Sequence, residues 1–201
     1  GELLASRTVS LESQIGQLTD AAHTDALTGL ANRRGLDAAL AALECGDAVV
    51  LLDLDHFKQI NDERGHAAGD AVIREFAVAL RQSLRATDIA CRYGGEELVA
   101  IVKGGNVSTA AAVLWRLRAR WRSAEHPTFS AGVCVHKTGT SAQTLTQADL
   151  ALYEAKRAGR DCWRLPTATR SGPVTEPAAE HETPSLAQPA TVRPEVQLAS
   201  H

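Results

Sequence analysis

The 201-residue sequence contains no methionine, not even at position 1. Gly1 therefore reads as a processing scar, and the chain as the C-terminal piece of something longer. An excess of basic charge is also missing. The formal net charge of -3 argues against a general electrostatic grip on nucleic acid. No apolar run approaches the length that crosses a bilayer, and no signal peptide is visible. This fragment is thus expected to make no membrane contact and to lie in the cytoplasm, whether or not the parent protein is membrane-anchored. Cys-x-x-Cys spacing is absent too. Cys45, Cys91, Cys134 and Cys162 are scattered singly among apolar residues and read as small reduced hydrophobes. Proline is nearly missing until late: every proline but Pro127 lies at or beyond Pro166. There the sequence mixes Pro with Ala, Thr, Glu and Ser and shows no apolar period, so residues 166–201 are expected to be a disordered tail. What remains is enough for one domain with a proper core.

The most informative stretch is Arg92-Tyr93-Gly94-Gly95-Glu96-Glu97-Leu98. Apolar segments Asp88–Cys91 and Val99–Val102 flank a Gly-Gly pair, which predicts a β-hairpin with a tight turn. Two adjacent carboxylates follow that turn. They can be a polar hairpin tip, or they can serve a site that holds a divalent cation beside a phosphate.

Upstream, Leu4, Leu11 and Leu18 recur at seven residues, as do Thr8, Ile15 and Ala22. Residues 3–22 therefore read as a helix, either the seam of a parallel coiled-coil stalk or an amphipathic helix packed on its own domain. Asn32 is placed to cap a helix over Arg33–Leu43. Ala48–Leu54 is a short apolar run that predicts a central strand buried on both faces. It ends in Asp53-Leu54-Asp55, and carboxylates at the end of a buried strand are costly unless paired or bound to metal. If the strand persists to Asp55, the two acids point the same way. His56–Asp62 reads as a polar helical turn or loop. A helix from about Gly69-Asp70 to Leu84 follows, then the hairpin, then a helix from Val107 to about Ser123. A strand over Thr128–His136 comes next. Asp149–Ala158 reads as a helix with Leu150, Leu152, Tyr153 and Ala155 inward, stopped by Gly159. Asp161–Leu165 can form a short last strand. The order predicts an α+β sandwich with a mostly antiparallel five-stranded sheet flanked by helices. In such a sheet Asp53 can converge with Glu96 or Glu97 on a shared Mg²⁺ site.

Six spaced pieces together resemble the GGDEF domain of diguanylate cyclases, over about Asp25–Asp161. They are Asp25-Ala-Leu-Thr-Gly-Leu-Ala-Asn-Arg-Arg34, Asp53-Leu-Asp-His-Phe-Lys-Gln-Ile-Asn-Asp62 and Gly65-His-Ala-Ala-Gly-Asp70. The others are Arg92-Tyr-Gly-Gly-Glu-Glu97, Ser130-Ala-Gly-Val133 and Ala148-Asp-Leu-Ala-Leu-Tyr-Glu-Ala-Lys-Arg-Ala-Gly-Arg160. The signature here is Gly-Gly-Glu-Glu-Leu, with Leu98 where the family usually has Phe, a change an apolar strand position should accept. The resemblance sets the domain at 23–165, with 1–22 as an N-terminal signalling helix. It implies the palm-like, ferredoxin-like fold of nucleotidyl cyclases and polymerases. The implied reaction condenses two GTP into cyclic di-GMP with loss of two pyrophosphates, in a homodimer whose domains each hold one GTP. A sensor domain is expected upstream of this fragment.

The resemblance also implies residue roles. Asp53, Glu96 and the Leu54 carbonyl would ligate Mg²⁺ (or Mn²⁺), and Glu97 would reach a second metal. Glu96 would further help to deprotonate the attacking 3′-hydroxyl. Gly94 and Gly95 would let the backbone approach the ligand. Asn61 and Asp70 would read guanine, although Asp70 can equally cap the helix it opens. Lys58, Lys156 and Arg160 would neutralise the triphosphate, and the backbone at His56 and Phe57 would wrap its β- and γ-phosphates. Arg85-Ala-Thr-Asp88 stands where the family keeps its product-inhibition site, with Arg116 as a further arginine. A surface ion pair is the plainer reading of Arg85 and Asp88. The competing functions are a catalytically weak receptor for cyclic di-GMP or GTP and a purely structural dimerising module. The intact metal acids argue against both.

Overall fold

A computed structural model describes residues 22–166. The stalk expected over 3–22 and the tail expected over 166–201 lie outside the described residues, except for Ala22 and Pro166.

Strand β1 (Ala48–Leu54) is buried along its whole length, because alternate residues feed two cores. Ala48, Val50, Leu52 and Leu54 face helices α3 (His66–Ser83) and α4 (Val107–Trp121). Val49 and Leu51 face α1 (Arg33–Ala41) and α5 (Ser141–Arg157). By the same alternation Asp53 falls on the α5 side. Strands β2 (Ile89–Gly94), β3 (Glu97–Val102), β4 (Phe129–Val135) and β5 (Trp163–Arg164) complete a sheet in the order β2-β3-β1-β4-β5. All its pairings are antiparallel except the short β4–β5 contact. The expected α+β sandwich with a mostly antiparallel sheet is what the chain forms.

The element ends differ from expectation in instructive places. Asn32 caps α1 as expected, accepting from the Arg34 and Gly35 N–H groups. The stretch after Asp55 forms a full helix, α2 (Phe57–Arg64), and α3 begins at His66 behind Gly65. Asp70 therefore lies inside α3 and caps nothing. Helix α5 starts at Ser141, behind a capping box of Thr140 and Gln143. Its buried face is Thr144, Ala148, Ala151, Leu152 and Ala155, while Leu150 and Tyr153 are 50% and 58% exposed. The inward assignment of Leu150 and Tyr153 was wrong for a steric reason. A Cβ on Gly132 of β4 would collide with backbone atoms of Ala148 and Leu152, so α5 lies almost directly on the sheet. Small residues form such an interface, and the large ones turn to solvent. Cys45 is exposed, unlike buried Cys91, whose thiol burial pushes up to about 12.

Candidate active site

The end of β1 brings acids from two strands and a cation from α5 together. Asp53 stands directly across from Glu97 of β3 in the ladder and, on its other side, from Ser130 of β4. It is only 6% exposed. Lys156 Nζ lies 2.7 Å from its Oδ2. The close seating of α5 over Gly132 is what delivers Lys156 to this depth. Burial raises the Asp53 carboxyl above its ordinary value; Lys156 opposes through its hydrogen bond and charge, and Glu96 and Asp55 reinforce the rise. Burial likewise raises Glu97, with the charge of Asp53 next, Lys156 opposing, and Glu96 and Asp149 adding. A single ammonium does not balance this cluster.

Among the described residues, no three His, Cys, Asp or Glu side chains enclose a metal ion by themselves. The donor set suits a small hard cation that takes one or two carboxylates from protein and the rest from phosphate and water. Leu54 is buried in the core, so it can offer such an ion only its carbonyl.

The hairpin tip carries the other acid. Gly94 pairs with Glu97, leaving Gly95-Glu96 as the loop, and the ladder slips between Arg92 and Gly94. Gly95 supplies the positive φ, at 41°. A Cβ at Gly94 or Gly95 would meet no atom within 4 Å, so the tip is open to an approaching ligand. Arg92 fixes its shape: Nε and Nη2 donate to the Gly95 carbonyl at 3.0 and 2.9 Å. Its Nη1 reaches Asp25 Oδ2 at 3.3 Å. Asp25 Oδ1 also accepts from the Thr28 N–H and hydroxyl, at 2.9 and 2.7 Å. Burial tends to raise the Asp25 carboxyl, but the Thr28 hydrogen bonds and Arg92 together hold it below its ordinary value. This link from the N-terminal segment to the hairpin tip escaped the sequence reading. Its signal was present, since Asp25 and Arg92 each begin a matched motif.

Helix α2 opens at His56, whose φ is 58°, with no side chain capping its first amides. Phe57 is buried beneath it and Lys58 is exposed. One turn on, Asn61 lies over α3: a Cβ on Gly69 would strike Asn61 Oδ1 and crowd the Phe57 ring. The missing side chain thus brings Asn61 against the turn of α3 that carries Asp70.

Beyond α5, Gly159, Arg160 and Asp161 form a run of positive φ angles, at 108°, 65° and 46°. Arg160 is exposed on this run, and Arg118 Nη2 holds Asp161 Oδ2 at 2.7 Å.

Arg85, Asp88 and Arg116 gather elsewhere, at the end of β2 away from the hairpin tip. Arg85 is exposed, whereas Asp88 is 3% exposed. Asp88 Oδ2 accepts from the Arg85 N–H at 2.9 Å, and Oδ1 from the Lys103 N–H at 3.1 Å. Asp88 therefore holds the α3–β2 junction together, and no Arg85–Asp88 ion pair is needed to explain it. Arg116 joins the group through its guanidinium, which donates to the Ser83 carbonyl at 3.1 and 2.8 Å.

A family profile described as "Diguanylate cyclase, GGDEF domain" matches residues 22–162. The chain belongs to the GGDEF domain family. Response regulator PleD of Caulobacter vibrioides is 38% identical over an alignment of 170 positions that covers 75% of this chain and 37% of PleD. Diguanylate cyclase DgcS of Shewanella oneidensis is 36% identical over an alignment of 167 positions that covers 76% of this chain and 55% of DgcS. The chain thus spans roughly a third to a half of these curated relatives. Among solved structures, the coiled coil and GGDEF domain of DgcB from Caulobacter crescentus, in complex with c-di-GMP, superposes with a TM-score of 0.70 at 32% identity. That match covers 81% of this chain and 96% of the DgcB chain. The GGDEF signature of the present chain is the hairpin tip described above.

Proposed function

We propose that this GGDEF domain condenses two GTP molecules into cyclic di-GMP and releases two pyrophosphates. The observation that carries this reading is the Asp53–Glu97 pair across the ladder, with Lys156 paired to Asp53. A domain that only bound nucleotide would have no use for a buried Asp53 across from a half-buried Glu97, both held with raised proton affinity. The named diguanylate cyclases among its relatives support the same conclusion.

Asp53, Glu96 and the Leu54 carbonyl would hold Mg²⁺ or Mn²⁺, with Glu97 toward a second ion. When bound, such an ion supplies charge neutralisation at the α-phosphate and lowers the pKa of a coordinated hydroxyl. The chain's own groups do the remainder. Asn61 and Asp70 present an amide and a carboxylate to O6, N1–H and N2–H of guanine, a pattern adenine cannot satisfy. The backbone N–H groups of His56 and Phe57, where the chain enters α2 with no side-chain cap, would donate to the β- and γ-phosphates. Lys58, Lys156 and Arg160 balance the triphosphate charge. Glu96 takes the proton of the 3′-hydroxyl. That oxygen then bonds to the α-phosphorus of the partner nucleotide in line with the departing pyrophosphate. Two such displacements close the ring.

One domain holds one nucleotide, so the reaction requires a second copy of the chain. Residues 3–22 would bring the copies together as a parallel seam. Product bound at Arg85, Asp88 and Arg116 would restrain the enzyme. The exposed Arg85 and the approach of Arg116 to the same junction support this assignment.

The test is product formation from GTP and Mg²⁺ by the wild-type chain and by Glu96→Ala and Asp53→Asn, followed by mass spectrometry. Wild-type cyclic di-GMP and none from either variant is the expected result. Normal turnover by either variant would refute its assigned role.

A further inference from the structure

The acid two residues beyond Asp53 is set to a different task. We infer that Asp55 is a positioning residue for the substrate triphosphate, acting through Arg160, and not a further metal acid. The inference rests on the phosphate-facing reading of Arg160.

Asp55 is 1% exposed and follows the last residue of β1. Its Oδ1 accepts from the Ser130 hydroxyl at 2.7 Å. Its Oδ2 accepts from the Thr128 hydroxyl at 2.7 Å and from the Asp161 N–H at 3.0 Å. Three donors thus converge on one buried carboxylate and take up most of its accepting capacity, which leaves it poorly placed to serve as a metal ligand. The third donor is the significant one. Arg160 and Asp161 both hold positive φ angles, which non-glycine residues adopt infrequently and at a cost that surrounding contacts must offset. Asp55 anchors this run by accepting from the Asp161 N–H, and Arg118 of α4 holds the Asp161 carboxylate. The same residue is bonded covalently to His56, itself left-handed and the first step into α2. Asp55 therefore ties the α2 amides to the loop that presents Arg160. These are the two sides between which a triphosphate would lie.

The test is steady-state kinetics of the full chain with GTP, together with the Mg²⁺ concentration giving half-maximal rate. Asp55→Ala should raise KM about tenfold with kcat changed by less than about threefold, since the loss is of binding geometry. Asp55→Asn should recover most of that loss: its amide oxygen can accept from the Asp161 N–H while its nitrogen donates to the Ser130 hydroxyl. Neither variant should alter the Mg²⁺ requirement. Arg160→Ala should raise KM similarly, and adding Asp55→Ala to it should do no further harm.

Three results would overturn the inference. An Asn variant as damaged as the Ala variant, with a raised Mg²⁺ requirement, would make Asp55 a metal ligand. Additive effects on KM would separate Asp55 from Arg160. An unchanged KM in Arg160→Ala would remove the phosphate role of Arg160 and this inference with it, while leaving the acid cluster untouched. If Asp55→Ala does not fold, Asp55→Asn decides alone: a wild-type Mg²⁺ requirement upholds the inference and a raised one overturns it.

Discussion

Lys156 reaches Asp53 from a helix that crosses the sheet on a glycine, and the 2.7 Å pair leaves a third of the lysine side chain in water. Asp53 itself is buried, so the lysine is the only cation within salt-bridge distance of it among the described residues. Removing it in Lys156→Ala should destabilise the fold by about 1–2 kcal/mol at neutral pH, below the usual cost of breaking a buried pair because of that exposure. The loss should shrink as pH falls and Asp53 takes up a proton. Thermal melts at pH 8 and pH 5 check this; an equal loss at both would contradict it.

Glu97 gives a second pH prediction. Its carboxyl, like that of Asp53, is raised in the folded state, so the native protein binds the extra proton more readily than the unfolded chain does. Stability from these acids is therefore greatest below the ordinary carboxylate range and falls as pH rises through the raised values. Glu97→Gln should accordingly raise the melting temperature by a few degrees at pH 8 without Mg²⁺. The gain should fade at pH 4. A lower melting temperature for the variant at pH 8 would show that the acid is not strained.

The Asp25–Arg92–Gly95 link should matter for catalysis more than for stability. Asp25→Asn keeps the Thr28 hydrogen-bond acceptor but loses the charge on Arg92. The hairpin tip should then loosen, lowering kcat by about three- to tenfold. The melting temperature should fall by a few degrees at most, since the lost charge contributed to stability at neutral pH. A variant that loses stability and keeps kcat would place the link in the fold alone.

The two halves of the proposed inhibition site should separate. Arg85→Ala removes an exposed guanidinium and should relieve inhibition by added cyclic di-GMP while leaving the fold intact. Asp88→Ala leaves the Arg85 and Lys103 amides unpaired at a buried junction and should cost about 1–3 kcal/mol of stability as well. Equal stability of the two variants would argue against the structural load placed on Asp88.

The sequence made the sheet and most of the site legible because period and spacing are strong signals there. Ala48–Leu54 could only be a strand buried twice over, and the carboxylates at its end demanded a reason. The Asp53–Glu97 juxtaposition followed from the hairpin. What stayed hidden depends on close approach rather than on pattern. Gly132 and Gly69 decide how near α5 and α3 come to their neighbours, and that nearness turned Leu150 and Tyr153 outward and set Asn61 against the turn of α3 that carries Asp70. Asp55 looked like a partner of Asp53 because both would fall on one face if the strand persisted to Asp55, but β1 ends at Leu54. Only its hydroxyl and amide donors, 73 to 106 residues away in sequence, show that it is already engaged.

The most direct measurement is incubation of the chain with GTP and Mg²⁺ over a series of protein concentrations, with cyclic di-GMP measured by mass spectrometry. The account predicts product, at a specific rate that rises with protein concentration as copies pair. Folded protein that binds GTP yet makes no cyclic di-GMP, even with a parallel zipper fused ahead of Glu2, would contradict it.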